Sequence, residues 1–134
     1  FSAEKEKTLK NGLKVYIMCE IPSNVILAKE FLKLCDGFSI GSNDLTQCLL
    51  GLDRDNASIS FIADESHPAS KITIKKVVDV CNEMGKYCGI CGDAPSTIEG
   101  FAEFLIDCKI KSISLSPDAV MKTLIRLKEK FKNS

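Results

Sequence analysis

The sequence predicts an α/β fold built from four successive βα units, half of a (β/α)8 TIM barrel. Three observations lead there. Four times, a β-rich apolar run gives way to a segment with apolar residues at helical spacing. The chain has 134 residues, close to half of the roughly 250 that a complete eight-unit barrel needs. No low-complexity linker interrupts the series, so residues 1–134 are expected to form one domain. An open doubly wound sheet of four parallel strands is the alternative, and its edges would need covering.

The first unit is LKVYIMCEI, ending at Glu20 and Pro22, followed by PSNVILAKEFLKLC with Ala28, Phe31, Leu32 and Cys35 on one helical face. In the second, GFSIGSND reads as a short strand running into a Gly-Ser-Asn-Asp turn. A polar stretch, LGLDRDNASISFIADESHPAS, then delays the helix KITIKKVVDVCNEMG. Ile74, Val77, Val78, Cys81 and Met84 recur there near helical spacing, and Gly85 is a natural stop. The third unit is YCGIC, GDAPS and TIEGFAEFLIDC, with Phe101, Phe104, Leu105 and Cys108 aligned. The fourth is KSISLS followed by PDAVMKTLIRLKEKF, with Val120, Leu124, Leu127 and Phe131 aligned and Pro117 suited to the first helical turn.

Apolar residues make up 45% and charged residues 27%, the balance of a soluble globular domain. Eighteen basic and eighteen acidic residues cancel, so no global field favours nucleic acid or an anionic membrane surface. No apolar run approaches the roughly 18 residues of a membrane span, and FSAEKEKTLK does not read as a signal peptide. A start at Phe rather than Met is expected of a piece of something longer. Seven cysteines at irregular spacing suit reduced thiols in a cytoplasmic setting. Cys19, Cys35, Cys48, Cys81 and Cys108 read as small hydrophobes.

In barrels of this kind the chemistry lies at the C-terminal ends of the strands. Those ends carry Glu20, then Gly41-Ser42-Asn43-Asp44, then Cys91-Gly92, then Ser114 to Ser116. Two carboxylates, an amide and a thiol thus fall on one rim. Glu20 and Asp44 suit a hard divalent cation such as Mg²⁺, which keeps one or two protein carboxylates besides water and substrate oxygens. A plainer reading stands level with it on these residues: Glu20 ends a strand and caps the next helix, and Asp44 caps a turn. The Cys-x-x-Cys of KYCGICGDAPS suggests a redox dithiol or half a zinc site. In a strand, however, residues three apart face opposite ways, and no second pair exists to complete a zinc site. Cys88 therefore reads as packing, and His67, just before Pro68, as a helix-entry or surface residue.

VYIMCEIPSNVILA, DGFSIGSNDLTQCLLGLDRD, DESHPAS, GKYCGICGDAPS and IKSISLSPDAV, in order from about Leu13 to Leu127, resemble the C-terminal part of the phosphoenolpyruvate-utilising enzymes. Within that family the Gly-Ser-Asn-Asp form, the Leu-Asp-Arg-Asp run and GICGDAPS are most like the pyruvate, water dikinase branch. Pyruvate phosphate dikinase and enzyme I of the sugar phosphotransferase system usually carry Thr in place of Ser42 and differ after Cys91. The resemblance implies the last four units of a (β/α)8 barrel that binds phosphoenolpyruvate or pyruvate with Mg²⁺. Carried over by position, it makes Glu20 and Asp44 metal ligands. It sets Asn43 at the substrate phosphate and carboxylate, with Ser42 and Gly92 beside it. Arg54 becomes a phosphate-binding residue and Cys91 the catalytic acid/base. A thiol with a reference pKa of about 8.5 lies nearer neutrality than a carboxylate, which suits proton transfer at C3 of pyruvate.

The implied activity is that of a gluconeogenic, cytoplasmic kinase making phosphoenolpyruvate, AMP and phosphate from ATP, pyruvate and water. The family's ATP-binding and phosphohistidine domains and its first four barrel units have no counterpart in residues 1–134. The chain alone is therefore expected to be inactive, with the remainder of the enzyme as its partner. The alternatives are the same domain of pyruvate phosphate dikinase, or a stand-alone half-barrel without catalysis, paired as a homodimer to cover its edges.

Overall fold

The computed structural model describes residues 12–52 and 64–132. Its strands are β1 (Tyr16–Cys19), β2 (Gly37–Gly41), β3 (Tyr87–Cys91) and β4 (Ser112–Ile113), all parallel and ordered β1-β2-β3-β4. Helices α1 (Pro22–Ile26) and α2 (Ala28–Leu34) follow β1, and α3 (Ser42–Leu50) and α4 (Pro68–Glu83) follow β2. Helices α5 (Ala94–Thr97) and α6 (Phe101–Asp107) follow β3, and α7 (Pro117–Phe131) follows β4. Sequential order with a helical crossover after every strand is the arrangement of half a (β/α)8 barrel.

Strand alternation decides the two faces. Cys19, Phe38, Ile40, Cys88 and Ile90 turn to the helices and are at most 2% exposed. They pack with Leu32, Leu45, Ile74, Val77, Val78, Cys81, Phe101 and Leu105 into one core. The residues between them point the other way. Tyr16 and Tyr87 stack there with ring centroids 4.2 Å apart, across Gly37, the register partner of both. The Tyr87 hydroxyl lies 2.5 Å from Ser112 Oγ. Tyr16 is 45% and Met18 42% exposed, and among the described residues no layer covers that face.

The expected helical faces are buried in α2, α4 and α6, where Leu32, Ile74, Val77, Val78, Cys81, Phe101 and Leu105 are fully buried. Three expectations are corrected. The Gly-Ser-Asn-Asp turn is instead the first turn of α3, with Gly41 at its N-cap and Gly51 (φ 64°) ending it. A Ser-Asn-Asp run suits a helix start as well as a turn, and burial of Leu45 and Thr46 selects the helix. The third-unit helix, expected from Thr97, begins only at Phe101 after Gly100 (φ 79°), and GDAPS ends in a short helix of its own, α5. In α7 the buried residues are Ala119 and Thr123, whereas Leu124 is 53% and Phe131 38% exposed. Arg126 pairs with the buried Glu103 of α6, with Nη2 3.3 Å from Oε2, so the face of α7 that meets α6 is not its most apolar stripe.

Candidate functional site

The rim is assembled around Gly41, the last residue of β2. Gly41 is in register with Cys91 on one side. On the other, a Cβ at Gly41 would come 2.9 Å from Glu20 Oε2, so the Glu20 carboxylate lies over this glycine. Glu20 does not cap the following helix. That work falls to Asn24, whose Oδ1 accepts from the Glu20 and Ile21 amides at 3.3 Å each. Asp44 sits half-buried in the first turn of α3, where the helix dipole favours a negative charge. Both carboxylates thus lie at the C-terminal ends of their strands, on the rim.

Asn43 is locked to the loop after β3. Its Nδ2 donates to Asp93 Oδ2 at 3.2 Å, and its Oδ1 accepts from the Asp93 amide at 3.3 Å. Ser42 is fully buried and its hydroxyl reaches the Cys91 carbonyl at 3.4 Å. Gly92 adopts φ 147°, and a Cβ there would fall 2.1 Å from Ser42 Oγ. Only glycine fits this position, because both the backbone angle and the space exclude a side chain.

Cys91 is half-buried, and Cys88 is fully buried on the helix side. Cys91 Sγ lies 3.5 Å from the Ser39 hydroxyl, which donates to it, and 3.5 Å from the Ile40 carbonyl, to which the thiol donates. The sulfur therefore has a partner in either protonation state: the thiol gives its proton to Ile40 O, and the thiolate accepts from Ser39. Cys88 lies against Cys81 in the core, and its contact with the Cys81 sulfur, together with burial, pushes its thiol well up. Burial pushes Cys19 up to about 12. No disulfide joins any of the seven cysteines. Cys35, Cys81 and Cys108 pack as expected, but Cys48 is exposed on the outer side of α3 and fills no core position.

His67 is the N-cap of α4, its Nδ1 accepting from the Ala69 amide at 3.2 Å, as expected of a helix-entry residue. Ser116 sits at the N-cap of α7, its amide donating to Ser96 Oγ at 2.9 Å. Arg54 lies outside the described residues. Among the described residues no group of three or more His, Cys, Asp or Glu side chains could hold a metal by itself. Glu20 and Asp44 still offer the hard oxygen donors that Mg²⁺ takes when substrate and water complete its shell. A cleft of about 340 Å³ lined by Ser96, Glu99, Lys122 and Arg126 lies beside α7.

Two rim residues were not singled out from the sequence. Asp93 holds Asn43, and Glu65 is 8% exposed beside Ser42. Asp93 sits inside the GDAPS motif, a signal that was there to read. Glu65 belongs to a polar stretch whose pattern gives no hint of burial.

Residues 2–131 match the family described as "PEP-utilising enzyme, PEP-binding domain". The chain is 53% identical over 120 residues to a phosphoenolpyruvate synthase of Synechocystis sp., covering 90% of this chain and 15% of that protein. It is 56% identical over 114 residues to the phosphoenolpyruvate synthase of Helicobacter pylori, covering 85% of this chain and 14% of the relative. With the Escherichia coli phosphoenolpyruvate synthase the identity is 50% over 120 residues, with 90% and 15% covered. Among solved structures, an HpcH/HpaI aldolase from Desulfitobacterium hafniense aligns with all of this chain and 48% of its own at a TM-score of 0.58. At 16% identity that likeness is one of fold, and it agrees with four units making half a barrel. The chain spans about 15% of the length of the curated relatives it matches.

Proposed function

This chain belongs to the PEP-utilising enzymes, matching their PEP-binding domain, and on that premise we propose that it forms the phosphoenolpyruvate/pyruvate site of a phosphoenolpyruvate synthase. The observation that carries this reading is the convergence of Glu20 and Cys91 on the two sides of Gly41, with Asn43 and Asp44 in the helical turn just beyond. Making phosphoenolpyruvate from pyruvate requires removal of a methyl proton, stabilisation of the enolate and phosphorylation of its oxygen. Cys91 is the group that moves the proton at C3, since Ser39 and Ile40 give its sulfur a partner before and after transfer.

Asn43, held by Asp93, orients the substrate's phosphate or carboxylate end. Ser42 and the bare backbone of Gly92 let the ligand approach closely. Arg54 supplies a planar fork of donors to phosphate oxygens. Glu20 and Asp44 would hold Mg²⁺, which when bound supplies positive charge to a developing enolate oxygen. The phosphoryl donor is ATP, acting through phosphohistidine and ATP-binding domains that belong with this one in a longer, cytoplasmic, gluconeogenic enzyme. No helix among the described residues is long and apolar enough to cross a membrane.

The test is exchange of the pyruvate methyl protons with solvent in the full-length protein. Cys91→Ala is expected to lower that exchange by about 100-fold or more, the usual contribution of a positioned acid/base. Exchange at the parent rate would contradict the assignment. In calorimetry, Asp44→Ala should abolish Mg²⁺-dependent phosphoenolpyruvate binding, while Cys88→Ala should leave it intact.

A further inference from the structure

We propose that Asp93 is a positioning residue that holds the Asn43 carboxamide in one of its two flip orientations, leaving one Nδ2 hydrogen for an anionic oxygen of the substrate. The proposal rests on the functional reading above and says how Asn43 meets its ligand. Asn43 Nδ2 donates to Asp93 Oδ2 at 3.2 Å, and the Asp93 amide donates to Asn43 Oδ1 at 3.3 Å. Rotating the carboxamide by half a turn would set Oδ1 against a carboxylate and Nδ2 against an N–H. Both contacts would then repel, so a single orientation satisfies Asp93. An asparagine side chain carries two N–H donors. Among the described residues one of them is spent on Asp93 and the other remains.

Asp93 is the N-cap of α5, a place where a carboxylate usually accepts from amides of its own helix. Here its side chain makes no capping bond and reaches Asn43, 50 residues away, instead. Its backbone stays fixed, because its carbonyl accepts from the Ser96 and Thr97 amides at 2.9 and 3.0 Å and from the Thr97 hydroxyl at 2.9 Å. The Ser42 hydroxyl donates to the Cys91 carbonyl at 3.4 Å, and a Cβ at Gly92 would stand 3.0 Å from Asn43 Oδ1. The loop that carries Cys91 is thus stitched to the turn that carries Asn43. Asp93 is exposed, and a side chain so placed adds little to stability. What the pairing supplies is orientation: an amide already held at a fixed angle meets a ligand without first losing that freedom.

The experiment measures phosphoenolpyruvate binding to the full-length protein by calorimetry in the presence of Mg²⁺, with Tm beside it. Asp93→Ala is expected to weaken binding about 10-fold, the worth of one hydrogen bond to a charged group, with Tm near the parent's. Asp93→Asn keeps an acceptor oxygen in the same place and is expected to bind within about 3-fold of the parent. Both variants lack the charge, so the difference between them reads the acceptor alone. Parent-like Kd in Asp93→Ala, equal losses in the Asn and Ala variants, or a lowered Tm with Kd unchanged would each overturn the proposal. Added to Asn43→Ala, Asp93→Ala should weaken binding less than about 2-fold further, because Asp93 acts through Asn43, and losses that multiply overturn the proposal. Where Asn43→Ala alone abolishes binding, the comparison of the Asn and Ala variants at position 93 decides. Should Asp93→Ala not fold, Asp93→Ser replaces it, since serine starts helices well and ends one atom short of Oδ2. Asn43→Ala separates the two ideas. Loss of binding there with parent-like binding in Asp93→Ala removes only Asp93, whereas parent-like binding in Asn43→Ala removes Asn43 from the functional reading itself.

Discussion

Gly92 and the cysteines carry the residue-scale predictions. A methyl at Gly92 would meet Ser42 Oγ at 2.1 Å in a backbone conformation of φ 147°. Gly92→Ala should therefore destabilise the fold by about 1–3 kcal/mol, measured by urea denaturation, and misplace Cys91 as well. Cys48 and Cys91 are the accessible sulfurs, while Cys19, Cys35, Cys81 and Cys88 are fully buried. Iodoacetamide at pH 8 followed by peptide mass mapping should label the first two and spare the other four; labelling of Cys88 before Cys91 would contradict the assigned faces. Cys19 adds a pH dependence. Its thiol moves from an ordinary value of 9.0 up to about 12 because burial disfavours the thiolate. The folded state thus holds this proton more tightly than the unfolded chain. That contribution is fully present below pH 9 and lost as pH rises toward 12, so Cys19→Ala should flatten the alkaline arm of the stability curve. The opposite faces of Cys88 and Cys91 were legible from spacing alone, since strand side chains alternate. The exposure of Cys48 was not, because it depends on which side of α3 meets the core.

At the scale of elements, the strand ends depend on short helices and their caps. Asn24 Oδ1 satisfies the amides of Glu20 and Ile21, so it both starts α1 and fixes the backbone from which Glu20 projects. Asn24→Ala should cost about 1 kcal/mol of stability and weaken Mg²⁺-dependent ligand binding through Glu20. Calorimetry beside thermal melting checks this, and unchanged binding with a lowered Tm would restrict Asn24 to capping. Periodicity located α2, α4 and α6 because each buries one apolar stripe against the sheet. It failed for α3, whose first turn reads equally well as a loop, and for the face of α7. There the face that meets α6 carries Arg126 against the buried Glu103, a pairing between residues 23 apart that local periodicity does not show. Glu65 was illegible for the same reason: its burial comes from α3 and the loop after β3, not from its own neighbours.

At the scale of the whole molecule, the described residues of the four units leave one face of the sheet covered and one bare. The helices cover Cys19, Phe38, Ile40, Cys88 and Ile90, whereas Tyr16, Met18 and the Tyr16–Tyr87 stack face outward with β1 and β4 as sheet edges. Exposed strand edges beside apolar surface favour association. The 134-residue chain produced alone should therefore self-associate, giving a sedimentation coefficient that rises with concentration; a concentration-independent monomer would show that the bare face is tolerated in water. The sequence by itself determined the rhythm of four βα units, the stripes that fill the core and the side of β3 from which Cys91 projects. Each of these follows from local periodicity, which a chain carries wherever it is placed. Only the tertiary structure decided that Glu20 lies over Gly41, that Asp93 grips Asn43 and that Glu65 is buried beside Gly92. Those contacts join residues on different units, and their geometry exists only once parallel strands fix the register between segments far apart in the chain.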